Sequence, residues 1–292
     1  VEKRGKMFVE SSISSCRRRI DLFDRPVSLI PTMGNLHEGH LKMIAHAREK
    51  YPDDAVVVSV FINPVQFERT EDYLSYPRTK CADIRRLDEL GVDLVFLPKK
   101  SQMYPHGTLR ITTVDHPISN ELEGSFRPGH FSGVSTVVAK LFNIVRPVRA
   151  YFGEKDYQQL IMIRKMVIDL NYSIDVVGFP IVREKDGLAY SSRNTFLPKE
   201  KRLVAWRLNS TLEEVVDRYL SRECISEEQC LNYFKRRISQ FGFDTESLLI
   251  RDAQSLSSIS SESRDVVILA SVRLGAVRLI DNKVISYRDS VS

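Results

Sequence analysis

His37 and His40, separated by Glu38 and Gly39, form an HxGH box inside the segment Pro31-Thr32-Met33-Gly34-Asn35-Leu36-His37-Glu38-Gly39-His40-Leu41. Two imidazoles at this spacing can donate to phosphate oxygens, ligate a metal, or pack as satisfied core residues. Context separates these readings. An apolar run at residues 27–30 precedes the box, and residues 41–47 carry apolar side chains at helical spacing, so the box occupies a strand-to-helix turn. The first N–H groups and the positive dipole end of that helix would face whatever the imidazoles hold, which favours a triphosphate. Gly34 relieves the turn out of the strand, and Gly39 lets backbone approach a phosphate without a Cβ in the way.

Three further segments carry chemistry. Asn63 and Gln66 lie among apolar neighbours in FINPVQF just past a second apolar run, where an amide must hydrogen-bond a ligand or the backbone to offset its burial. Gly153-Glu154-Lys155-Asp156 closes a short strand pattern and opens a helical one. Lys155 there can meet phosphate oxygens, while Asp156 can cap the helix or accept from a ribose hydroxyl. Ser191-Ser192-Arg193-Asn194 offers hydroxyl and guanidinium donors in a mobile-looking loop after Asp186-Gly187, suited to clamping pyrophosphate.

The elements that must position these groups follow from patterning. Strand-type runs at residues 27–30, 55–61, 92–97, 149–152 and 174–182 alternate with helical patterns at 81–90, 134–145 and 157–170. This alternation implies an α/β, Rossmann-like parallel sheet flanked by helices, with ligands bound beyond the carboxyl ends of its strands. After Val182 the texture changes. Helical stretches at 199–219 and 226–241 precede strand-type runs at 247–251, 265–272 and 277–282, which suggests a smaller α+β domain. The expected division is therefore residues 1–181 and 182–292.

Composition narrows the class. The 292 residues are 42% hydrophobic and 28% charged, no apolar run approaches the ~20 residues that span a bilayer, and the N-terminal charges lack a signal-peptide core behind them. We read a cytoplasmic protein without a membrane partner. The net charge of +5 is scattered among acidic residues rather than gathered in a stripe, which argues against nucleic acid, and Arg17-Arg18-Arg19 reads as a solvated helix face. Cys16, Cys81, Cys224 and Cys230 show neither CxxC nor zinc spacing and read as structural thiols.

The segments PTMGNLHEGHLKMI, FINPVQFERTEDYLSYPRT, VFLPKKSQMYPHG, LEGSFRPGHFSGVSTVVAKLFNIVRP, YFGEKDYQQL, VREKDGLAYSSRNTFL and RLIDN, in this order from about Pro26 to Asn282, resemble the pantothenate synthetases. The resemblance implies that ATP and pantoate form pantoyl adenylate and pyrophosphate, and that β-alanine then attacks to give pantothenate and AMP. It implies the fold of the HxGH nucleotidyltransferases, a homodimer, and a Mg²⁺ requirement. Carried onto this sequence, the ATP site comprises Met33, Gly34, Asn35, Leu36, His37, Glu38, Gly39, His40, Gly153, Glu154, Lys155, Asp156, Val182, Tyr190, Ser191, Ser192 and Arg193. His40 is the implied proton donor, and His37, Lys155 and Arg193 complete the positive field around the phosphates. Gln66 and Gln159 are implied to hold pantoate, with Gln66 also bordering β-alanine, and Asp83 is the implied metal ligand. Tyr190 stands where Leu or Met is more usual. A nucleotidylyltransferase acting on a phosphorylated acceptor would use the same box, but it would want arginines rather than amides in its second pocket.

Overall fold

The computed structural model describes residues 6–67, 70–107 and 117–286. The N-terminal charges at residues 1–5, and Glu68 and Arg69 of the FINPVQFERTEDYLSYPRT segment, lie outside the described residues. The chain divides into two compact units, Val1–Glu154 with Met162–Pro180, and Lys155–Ile161 with Ile181–Ser292.

Six parallel strands build the first unit: β1 (Phe8–Glu10), β2 (Val27–Thr32), β3 (Ala55–Val60), β4 (Leu94–Phe96), β5 (Arg149–Gly153) and β6 (Asp175–Phe179). Their order is β1-β4-β3-β2-β5-β6. Helices supply the long crossovers that parallel neighbours require. Ala55, Val56, Val57 and Val58 of β3 are entirely buried, as expected of a strand covered on both faces. The helix Glu38–Lys50 follows β2 and packs Met43, Ile44 and Ala47 against Ile30, Val56 and Val58. Because β2 pairs with β3 on one side and β5 on the other, the strand order reverses there, and the segment leaving β2 emerges at the switch point of the sheet.

Two details differ from the sequence reading of this unit. The strand expected over residues 174–182 ends at Phe179. A sixth strand, β1, lies at the sheet edge with Phe8 opposite Leu94, a three-residue piece too short to leave an alternating pattern. The helix Ile13–Ile20 follows it and carries Arg17, Arg18 and Arg19 in its last turn, where cations complement the helix dipole.

The second unit has an antiparallel sheet of β7 (Asp244–Asp252), β8 (Asp265–Leu274) and β9 (Val277–Ser286), with β8 in the middle. The helices Arg207–Leu220 and Glu227–Ser239 share its core, in which Leu208, Leu212, Phe234 and Ile238 meet Val266, Ile268 and Val272. The single helix expected at 199–219 is instead Lys199–Arg202 and Arg207–Leu220. Between them the N–H groups of Val204, Ala205 and Arg207 bond three residues back, a tighter winding that carries Ala205 into the core.

Cys16, Cys81, Cys224 and Cys230 are free thiols, and only Cys81 is exposed. Burial pushes the Cys16 thiol up to about 12, which keeps it unreactive. Among the described residues no helix is long and apolar enough to cross a membrane.

Candidate active site

The HxGH box sits at the carboxyl end of β2. Gly34 (φ +79°) and Asn35 (φ +51°) are both left-handed, and a Cβ on Gly34 would lie 3.0 Å from Val60 Cγ1. This reversal aims the N–H groups of Asn35 and Leu36 at the Asp83 carboxylate, each at 3.0 Å. His37 then caps the helix Glu38–Lys50. Gly39 N–H donates to His37 Nδ1 at 3.2 Å, and His37 N–H donates to His40 Nδ1 at 3.3 Å, a reciprocal capping box built from imidazoles. Since each Nδ1 accepts, each neutral ring carries its proton on Nε2 and presents that atom as a donor. The two rings lie 4.1 Å apart and tilted.

This arrangement revises one expectation. The N–H groups of Gly39 and His40 are taken up within the box by His37, through its Nδ1 and its carbonyl oxygen respectively. Sequence rules for helix starts look for Ser, Thr, Asp or Asn, and they miss a histidine cap.

In the same unit, Asn63 and Gln66 form a buried amide pair after β3. Val65 N–H donates to Asn63 Oδ1 (3.4 Å), as does the Tyr104 hydroxyl (2.7 Å), while Asn63 Nδ2 donates to the Gly133 carbonyl (3.1 Å). Two backbone groups of opposite polarity thus fix which way Asn63 faces. Its Nδ2 also donates to Gln66 Oε1 at 3.0 Å, which turns Gln66 Nε2 toward Met33 Sδ, 3.0 Å away. Gly133 makes the close approach possible, because a Cβ there would come 2.6 Å from the Val65 carbonyl oxygen. His130 Nδ1 lies 2.8 Å from the Gln66 carbonyl oxygen, and Arg127 lies 3.0 Å from His130 Nε2. Tyr104, Arg127 and His130 were not singled out from sequence, since nothing in their spacing relates them to Gln66.

The remaining expected residues belong mostly to the second unit. Lys155 lies in a 3-10 turn, Glu154–Asp156, and its carbonyl accepts from Asn282 Nδ2 (3.1 Å). Gln159, on the following helix, is half-buried. Tyr190 N–H donates to the Val182 carbonyl (3.0 Å), closing a hairpin whose turn holds Gly187. That hairpin is pinned. Arg183 makes a bidentate pair with buried Asp281 (2.7 and 3.0 Å), and Asn194 Nδ2 donates to Glu184 (2.9 Å) and the Ala189 carbonyl (3.0 Å). The loop read as mobile is therefore tied into its own unit. Ser191 caps the short turn Ser192–Phe196, and Lys155, Ser191 and Arg193 line one cavity with Arg278 and Asp281. Glu154, grouped with the first unit, has its carboxyl pushed above the usual range by burial, with Arg164 opposing.

Asp83, the residue expected as metal ligand, is engaged by its own chain. Its oxygens take the loop N–H groups and the Thr79 hydroxyl (2.9 Å). No group of three or more His, Cys, Asp or Glu side chains is arranged to hold a metal among the described residues. Both Asp83 oxygens are thus occupied by donors of its own chain.

A profile of the family described as Pantoate-beta-alanine ligase matches residues 9–284. The fold is similar to that of the pantothenate synthetase of Thermus thermophilus, at 41% identity and TM-score 0.85, over 95% of this chain and 99% of that one. It is also similar to the pantoate-beta-alanine ligase of Francisella tularensis in complex with beta-gamma ATP and beta-alanine. That match has 32% identity and TM-score 0.80, over 95% of this chain and 97% of the other.

Proposed function

The chain belongs to the pantoate-beta-alanine ligase family, and on that premise we propose that it activates pantoate with ATP as pantoyl adenylate and passes the acyl group to β-alanine. The observation that carries this reading is the 3.0 Å approach of Gln66 Nε2 to Met33 Sδ, which sets an amide donor beside the first residue of the HxGH loop. An acid held by that donor would have its carboxylate next to the phosphates of a nucleotide bound at the box.

The chemistry needs cancelled repulsion rather than a protein nucleophile. Pantoate's carboxylate attacks the anionic α-phosphate, pyrophosphate leaves, and charge grows on the phosphoryl oxygens. The Nε2–H groups of His37 and His40 stabilise that charge by hydrogen bonding, the donor role that the resemblance gives His40. The family resemblance assigns Lys155 and Arg193 to the positive charge on the phosphates, and Ser191, Ser192, Gly153–Asp156, Val182 and Tyr190 to ATP binding. The resemblance assigns Gln66 and Gln159 to pantoate. Mg²⁺ would enter as the counter-ion of the triphosphate. In the second half-reaction the uncharged amine of β-alanine attacks the acyl carbon and AMP departs. The family resemblance further implies a homodimer, while the composition suggests a cytoplasmic protein and the change of texture after Val182 a domain division near residue 181.

The test separates the two halves. Pantoate alone should support ATP–pyrophosphate exchange, and AMP release should require β-alanine. Exchange that needs β-alanine overturns the stepwise mechanism. Turnover with a phosphorylated acceptor in place of pantoate overturns the ligase assignment.

A further inference from the structure

We propose that Asp83 is a positioning residue for the HxGH loop, holding it with Arg86 in the conformation that presents His37 and His40; this rests on the box being the nucleotide site. Asp83 is 2% exposed, in the first turn of the helix Lys80–Glu89. Its Oδ2 accepts from Asn35 N–H and Thr79 Oγ1, and its Oδ1 accepts from Leu36 N–H. Arg86, three residues on and so on the same helix face, donates to the Leu36 carbonyl. One helix face therefore holds three polar groups of two consecutive loop residues, immediately before the helix cap at His37.

Two features show that the carboxylate is built for this task. Thr79 is the residue before the helix, where a threonine hydroxyl ordinarily accepts from a backbone N–H of the first turn, yet it makes no such cap and donates to Asp83 instead. The loop also brings the position of a Gly34 Cβ to 3.1 Å from Asp83 Oδ2, leaving no room for a side chain between loop and carboxylate. Successive N–H groups turned to one side make an anion-binding concavity, and here the protein's own carboxylate fills it. An asparagine cannot substitute. All three donors converge on the two oxygens, so an amide turned either way sets its NH₂ against a backbone N–H.

The decisive measurement is hydrogen–deuterium exchange on the ligand-free full chain, wild type beside Asp83→Asn and Thr79→Val. The proposal expects faster exchange in peptides covering residues 33–41 in both variants, with the sheet strands β2 and β3 still protected. In pantoate-dependent ATP–pyrophosphate exchange, Asp83→Asn should lower kcat about 10- to 100-fold, more than it raises KM for ATP, as displaced donors do. Its Mg²⁺ dependence should match wild type. Unchanged exchange at 33–41, or recovery of activity by excess Mg²⁺, overturns the proposal in favour of no anchoring role or a metal ligand. If Asp83→Asn fails to fold, Thr79→Val, which removes one hydrogen bond, decides the loop comparison. The exchange comparison uses no substrate, so a wild-type chain without pantoate-dependent exchange would overturn the functional reading alone.

Discussion

Asn63 Nδ2 donates to Gln66 Oε1 at 3.0 Å, and this bond decides what Gln66 can offer a substrate. From sequence a glutamine supplies both a donor and an acceptor. With its oxygen engaged by Asn63, Gln66 offers Nε2, whose neighbour is the weakly accepting Met33 Sδ. If Gln66 holds pantoate as proposed, it would do so through an oxygen acceptor of the acid, a carboxylate or a hydroxyl lone pair. Replacing Gln66 by Leu should lower kcat/KM for pantoate about 10- to 100-fold, the cost of one lost buried contact, while ATP binding holds. Asn63→Leu should weaken pantoate use too, because it frees Gln66 to turn over. Loss of ATP affinity with intact pantoate kinetics would move Gln66 to the nucleotide site.

The imidazole caps make an atom-by-atom test possible. Asparagine places an oxygen near Nδ1, and glutamine places an NH₂ near Nε2. His37→Asn should keep the helix cap and the folded stability but lose the phosphate donor, lowering kcat by about 10² to 10³. His37→Gln should retain part of the activity while losing about 1 kcal/mol of stability with the cap. Thermal unfolding beside steady-state kinetics reads both, and equal behaviour of the two variants would contradict the assigned ring proton.

Lys155 and Arg193 line one cavity of the second unit and carry charge that the proposed phosphate chemistry requires. Lys155→Ala should lower kcat by on the order of 10² or more with no change in fold. Wild-type turnover in this variant would remove Lys155 from the catalytic set.

The Arg183–Asp281 pair is structural. Asp281 is 3% exposed, and its loss strands a guanidinium that holds the 183–190 hairpin to β9. Asp281→Ala should destabilise the protein by about 3 kcal/mol, the lower end for a broken buried pair because Arg183 keeps partial solvent. Denaturant unfolding measures this. A loss below about 1 kcal/mol would place the pair among surface bridges.

Acid should weaken the second unit through Glu214. Hydrogen bonds from Arg237 (2.9 Å) and Tyr233 (2.7 Å) hold its carboxyl below the usual range. A depressed folded-state value means the stabilisation is complete above the unfolded value of about 4.3 and disappears as pH falls through the folded one. In Glu214→Gln the melting temperature should therefore fall less steeply below pH 4 than in wild type. Parallel curves would show that the pair contributes nothing.

The sequence by itself determined the βα alternation, the buried character of β3, the strand-to-helix placement of the HxGH box and the separate α+β texture after Val182. These are local properties, carried by apolar period, glycine placement and turn chemistry within short windows. It did not determine what the side chains at the site do. His37 Nδ1 is a helix cap because the chain reverses at Gly34 and Asn35. Gln66 is a donor because Gly133, 70 residues beyond Asn63, leaves space for its carbonyl to reach that amide. Asp83 lies 47 and 48 residues from the N–H groups it binds. The roles of Gln66 and Asp83 depend on hydrogen bonds between distant segments, and their polarity is fixed only when packing brings a particular backbone donor or acceptor within about 3 Å. Spacing along the chain names the groups available, and the tertiary structure decides which lone pair and which proton each one has left for a ligand.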